Sequence, residues 1–103
     1  MAQRLDLQME LEDLMGAGVM VKFQPPPGYQ LTYPACVYER SNGKTIFAAN
    51  MPYTFTNKYT VTIIDRNPDT DYVEMMAMRF PMCVMDRAFA ADGLNHYVFT
   101  IYW

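Results

Sequence analysis

The stretch D-R-N-P-D-T-D at 65–71 sets acidic or amide side chains at alternate positions, which is how an oxygen-rich calcium loop begins. A loop started at Asp65 requires glycine at its sixth position for the sharp turn and a bidentate glutamate at its twelfth. The chain carries Thr70 and Met76 there, and Pro68 stiffens backbone that would have to wrap the ion. The same side chains can instead accept hydrogen bonds from the free N–H groups at the start of a helix. The run D-Y-V-E-M-M-A-M-R that follows reads as a short helix, with Asp71 and Glu74 at capping-box spacing. The expectation is a helix cap drawn from Asp69, Thr70 or Asp71, with Asp69 and Asp71 as the candidates, and no metal site.

Nucleophilic chemistry would rest on His96, the one histidine, beside Cys36 or Cys83. Nothing in the spacing brings either thiol to it. The cysteines lack C-x-x-C spacing and read as reduced, buried hydrophobes. Asp86 and Asp92 flank the last turn, but Arg87 adjoins the first, so an ion pair is expected there rather than acid–base work. No catalytic, metal or cofactor residues are predicted, and the chain reads as a non-enzyme without a cofactor. The 8 basic residues are scattered singly among 11 acidic ones, which gives no stripe for a phosphate backbone. No apolar run approaches the ~20 residues of a membrane helix, and the opening M-A-Q-R-L-D lacks the features of a targeting segment. A protein folded in the cytoplasm, with no membrane partner, is expected.

The elements that must position these residues follow from periodicity. With 103 residues, 51% of them hydrophobic, one domain over 1–103 is expected. In 5–15, Leu7, Leu11, Leu14 and Met15 fit the i, i+4, i+7, i+8 stripe of a helix, in residue types that favour one, and Gly16 or Gly18 supplies a left-handed end. Leu5 and Met9 fall on roughly the opposite side and are candidate partner contacts. Strands are expected at 19–23, 35–39, 58–64, 82–89 and 96–103. The turn S-N-G-K at 41–44 and a possible returning strand at 45–48 would form a hairpin that Pro52 closes. In 58–64, Tyr59, Val61 and Ile63 alternate with Thr60, Thr62 and Ile64; in the last strand Tyr97, Phe99, Ile101 and Trp103 share a face. The order is α-β-β-(β)-β-α-β-β, an α+β fold with a mainly antiparallel sheet and both helices packed on one side.

Two features remain. Five of the ten methionines (Met75, Met76, Met78, Met82, Met85) lie within eleven residues, either as core filler or as an adaptable contact surface. The loops at 24–32 and 41–57 carry the prolines at 25–27, Tyr29 and four further candidate contacts, Phe47, Met51, Tyr53 and Phe55. A monomer seldom leaves so many large apolar groups uncovered.

The blocks Y-P-A-C-V-Y-E-R (33–40), N-M-P-Y (50–53), K-Y-T-V-T-I-I-D-R-N-P-D (58–69) and P-M-C-V-M-D-R-A-F-A-A-D-G-L-N-H (81–96), in this order and near this spacing, resemble the tail-completion or tail-terminator proteins of long-tailed (siphovirus-like) bacteriophages and prophages. The resemblance spans most of 33–103. It implies a virion protein of the tail or neck, assembled in the host cytoplasm, whose copies form a ring, a hexamer by analogy, at the head-proximal end of the tail tube. Such a ring stops tube growth and offers the surface for head-tail joining. The implied partners are the protein itself, the tail-tube protein and head-tail connector proteins, with phage DNA passing through the lumen without specific binding, in keeping with a net charge of −3. The alternatives are a connector or stopper protein of the same neck and, from another class, a small Cys/His enzyme.

Overall fold

The computed structural model describes residues 4–16, 18–41, 44–48, 51–56, 58–80 and 82–103, with backbone alone for 44–48 and 51–56. Helix α1 (Arg4–Met15) buries the predicted stripe Leu7, Leu11, Leu14 and Met15. It ends on Gly16, whose φ of 92° lets its N–H return 3.0 Å to the Glu12 carbonyl and satisfy one of the orphan acceptors of the last turn.

The strands are β1 (Met20–Phe23), β2 (Ala35–Arg40), β3 (Lys44–Ala48), β4 (Met51–Thr56), β5 (Lys58–Asp65), β6 (Cys83–Ala91) and β7 (Leu94–Tyr102), with helix α2 (Tyr72–Arg79) between β5 and β6. Five of them form one sheet in the order β1-β2-β5-β7-β6, antiparallel except for the β1–β2 pair. A parallel pair needs a crossover, and the proline-bearing segment 24–34 supplies it. The fold is α+β, with a mainly antiparallel sheet and an N-terminal helix, as the periodicity indicates.

The core lies between the helices and one face of this sheet. Tyr59, Val61 and Ile63 of β5, Cys36 and Tyr38 of β2 and Phe99 and Ile101 of β7 meet the α1 stripe, together with Met76 and Phe80 from the α2 side. Tyr97 and Trp103 pack against that cluster, and Trp103 meets Phe80 edge-on with centroids 5.9 Å apart. Tyr38 is buried, yet its hydroxyl is satisfied: it donates to Gln8 Oε1 and accepts from Arg4 at 3.2 Å. Gln8 Nε2 in turn donates to the Val21 carbonyl at 3.2 Å, so one side-chain network ties α1 to β1 and β2.

The structure departs from the sequence reading at 41–57. The segment 45–48 does not return along β2. It pairs with β4 in a separate two-stranded sheet, and Pro52 sits inside β4 opposite Phe47, next to an irregularity in register. The place beside β2 is taken by β5, and Ser41 and Thr60 fix that junction with a hydroxyl pair at 2.8 Å and a Ser41 N–H to Lys58 carbonyl bond of 2.7 Å. The β3–β4 hairpin is therefore an insertion between two strands that pair with each other. The closing hairpin is tight, because Asp92 and Gly93, at φ 53° and 74°, form the two-residue turn of a right-twisted ribbon.

The two faces of α1 have different energetics. Leu11→Ala is expected to cost about 2–5 kcal/mol in a urea titration, because it opens a cavity under the sheet, whereas Leu5→Ala should stay within about 0.5 kcal/mol. Equal losses would place Leu5 in the core.

Candidate functional surface

The 65–71 turn is held by its own side chains. Asp65 Oδ1 accepts the Asn67 N–H at 3.1 Å, Asn67 Oδ1 accepts the Asp69 N–H at 3.0 Å, and Thr70 Oγ1 accepts the Tyr72 N–H at 3.4 Å. From the sheet, Asn95 Nδ2 donates to the Asp65 and Arg66 carbonyls, and the Tyr97 hydroxyl donates to the Pro68 carbonyl at 3.0 Å. The cap expected from Asp69 and Asp71 is corrected by this geometry. Asp71 occupies the N-cap position but makes no side-chain cap bond, because its φ −78° and ψ −11° are already helical. A capping side chain reaches forward from the extended region instead. Asp69 contributes its N–H to the turn, and Thr70, the third candidate, supplies the hydroxyl acceptor. Among the described residues no three His, Cys, Asp or Glu side chains converge in a metal-binding cluster.

The thiols and the histidine are kept apart by the sheet. Cys36 is buried on the helix face, and burial pushes its pKa up to about 12. His96 pairs with Ile64 and Phe89 on the opposite face, where its ring stacks on Phe89 at 4.7 Å and Nδ1 lies 3.3 Å from the Leu94 carbonyl. Cys83 stands at the far end of β6 from His96, opposite Ile101, with its pKa raised by burial and then by Asp86. Both shifts favour the protonated thiol over the thiolate, which is the nucleophilic form. The ion pair expected at Asp86 gives way to a hydrogen bond of 2.6 Å from the Thr100 hydroxyl, while Arg87 lies over the Phe89 ring. A cleft of about 490 Å³ opens on the helix-free face between Gln24, Pro25 and Leu31 and the sheet residues Val37, Thr60, Thr62 and Ile64, with Glu39 as its ionisable side chain.

What the surface does present is apolar. On the helical layer Leu5 is 58% exposed, Met9 67% and Met78 88%, and Met75 is also exposed. Arg79 clamps the two helices alongside, reaching Glu10 at 2.8 Å and Asp13 at 2.6 Å. Met76 alone of the methionine run is buried core, whereas Met75, Met78, Met82 and Met85 face outward. The side chains of Phe47, Met51, Tyr53 and Phe55 lie outside the described residues. Their backbones belong to β3 and β4. Sequence reasoning passed over Val84 and Phe89, both exposed on β6. The adjacent Asp86 and Arg87, which break the alternation of an otherwise apolar strand, were the available signal. No protein-family model and no curated protein matches the chain.

Calcium or EDTA should leave the melting temperature unchanged, and removing both turn acceptors, Asp65→Ala with Asn67→Ala, should cost about 1–3 kcal/mol. Asp71→Ala should cost under about 1 kcal/mol, by a helix-dipole effect that salt abolishes; a salt-insensitive loss would restore the cap. For Cys36, the unfolded chain releases the thiol proton near the ordinary pKa of 9.0 while the folded chain keeps it to about 12. Stability therefore falls as pH rises above 9, by up to about 1.4 kcal/mol per pH unit from this group. Cys36→Ala should be less pH-dependent than the parent over pH 9–11 in urea titrations, and parallel curves would contradict this.

Proposed function

We propose that this protein is a ring-forming structural component of a phage tail, acting at the head-proximal end of the tail tube to stop its growth and to present a surface for head-tail joining. The ordered blocks over 33–96 support the reading from the sequence side. The observation that carries it is the exposure of Leu5 and Met9, one helical turn apart on the side of α1 that faces away from the sheet. Together with Met75 and Met78 they place large apolar groups on the helical layer, where a neighbouring subunit or the tube end can cover them. A head-to-tail contact between two different surfaces closes into a ring when its rotation permits. Methionine suits such a contact because it adapts to a partner at little cost.

Native mass measurement tests this directly, on the protein alone and mixed with tail-tube protein. The expected result is a complex of several copies, six by analogy, joined to the tube protein. The variant Leu5→Glu/Met9→Lys should keep its circular dichroism spectrum and lose that assembly. Deleting 43–54 should leave tails of irregular length or tails unable to join heads. A protein that stays a single copy with tube protein present would overturn the reading, and binding to the portal-side adaptor alone would move it to the connector position.

A further inference from the structure

The edge strand β6 has no counterpart in the ring reading. Its nine residues run about 30 Å, and every one after Cys83 is exposed. Tyr102 N–H donates to the Met82 carbonyl at 3.0 Å, and antiparallel pairs alternate between hydrogen-bonded and non-hydrogen-bonded. Along the register, Val84↔Thr100, Arg87↔Val98, Phe89↔His96 and Ala91↔Leu94 are then the bonded pairs. Cys83, Met85, Ala88 and Ala90 direct their N–H and C=O groups away from β7. The register shift between Met85 and Arg87 leaves Asp86 as the extra residue of a bulge. Asp86 and Arg87 consequently share the helix-free face: the former bonds Thr100, and the latter lies 5.5 Å from the centroid of Phe89, which itself stacks on His96.

This edge is complementary to itself when reversed. An antiparallel second copy placed with Met85 opposite Ala88 joins two residues whose backbone groups point outward on both strands, so each such pair exchanges two N–H···O bonds. The same register sets Asp86 opposite Arg87 of the second copy, twice by symmetry, on one face. It also sets Val84, 58% exposed, opposite Phe89, 44% exposed. The bulges coincide at the two-fold axis, so the kinks of the two strands match. From these relations we infer that β6 is a self-pairing edge: two copies of this chain join their sheets through β6 in the register Met85–Ala88, locked by reciprocal Asp86–Arg87 ion pairs. The contact is isologous and closes at two copies, so it is distinct from a head-to-tail ring contact and does not rest on the ring reading. It also covers a long apolar edge that would otherwise invite unspecific strand addition.

The test is light scattering after gel filtration over a concentration series, in the Leu5→Glu/Met9→Lys background so that the helical surface is silent. A monomer–dimer equilibrium is expected. Ala88→Pro removes an outward N–H and spares the bonds to β7; it should give monomers with an unchanged far-UV spectrum. Asp86→Arg and Arg87→Asp should each weaken the dimer tenfold or more, and the two substitutions combined should restore it, because position 86 meets position 87. Since Asp86 also holds Thr100, Arg87→Asp and Ala88→Pro carry the result if the variants that contain Asp86→Arg unfold. Monomers at every concentration, a dimer indifferent to Ala88→Pro or to Arg87→Asp, or a combined swap that keeps its circular dichroism spectrum and fails to restore pairing would overturn the proposal.

Discussion

The structure depends on one core cluster, in which the Leu7, Leu11, Leu14 and Met15 stripe of α1 is buried together with Tyr59, Val61 and Ile63 of β5. These side chains are almost wholly withdrawn from water, and burial of that extent is worth about 1.5–3 kcal/mol for each large apolar side chain. The polar network from Arg4 through Tyr38 and Gln8 to Val21 fixes the angle of the helix on the strands, since a buried tyrosine hydroxyl left alone would cost about 1–3 kcal/mol. The β5 strand thus has neighbours on both sides and the helical layer above it.

The same cluster explains what is left uncovered. Helix α2 has 8 residues, about 12 Å of length, whereas β6 runs about 30 Å. One end of β6, at Cys83, reaches the core cluster, and the strand beyond it runs exposed. On the outer side of the helical layer, Leu5, Met9 and Met78 have no sheet beneath them. The apolar surface of this protein is therefore divided between a helical patch and a strand edge. The two call for different geometries, side-chain packing for the first and backbone pairing for the second, so the proposed ring contact rests on the first and the inferred two-fold pair on the second.

The polar residues of the 65–71 turn hold the scaffold. Asp65, Asn67 and Thr70 spend their acceptors on backbone N–H groups of the turn that leads into α2. Tyr97 and Asn95 fasten that turn to β7. Cys36 behaves as a small hydrophobe, and its raised pKa is a consequence of the core around it rather than a sign of reactivity.

Local periodicity determined much of this by itself. The α1 stripe, its end at Gly16, the alternation in β5, the shared face of Tyr97, Phe99, Ile101 and Trp103, and the turn at Asp92 and Gly93 are each set by neighbours a few residues apart, and 3.6-fold or two-fold spacing exposes them. Leu5 and Met9 were legible for the same reason, as residues off the stripe. What the chain could not announce was pairing at a distance: that β2 would take β5 and leave β3 and β4 to each other depends on competition between strands far apart in sequence. The cap at Asp71 failed because a backbone already in the helical region turns the carboxylate away from the N–H groups it would have to reach. The run M-C-V-M of 82–85 has the composition of a buried strand, and only its place on the edge strand of the sheet left Met82, Val84 and Met85 in water.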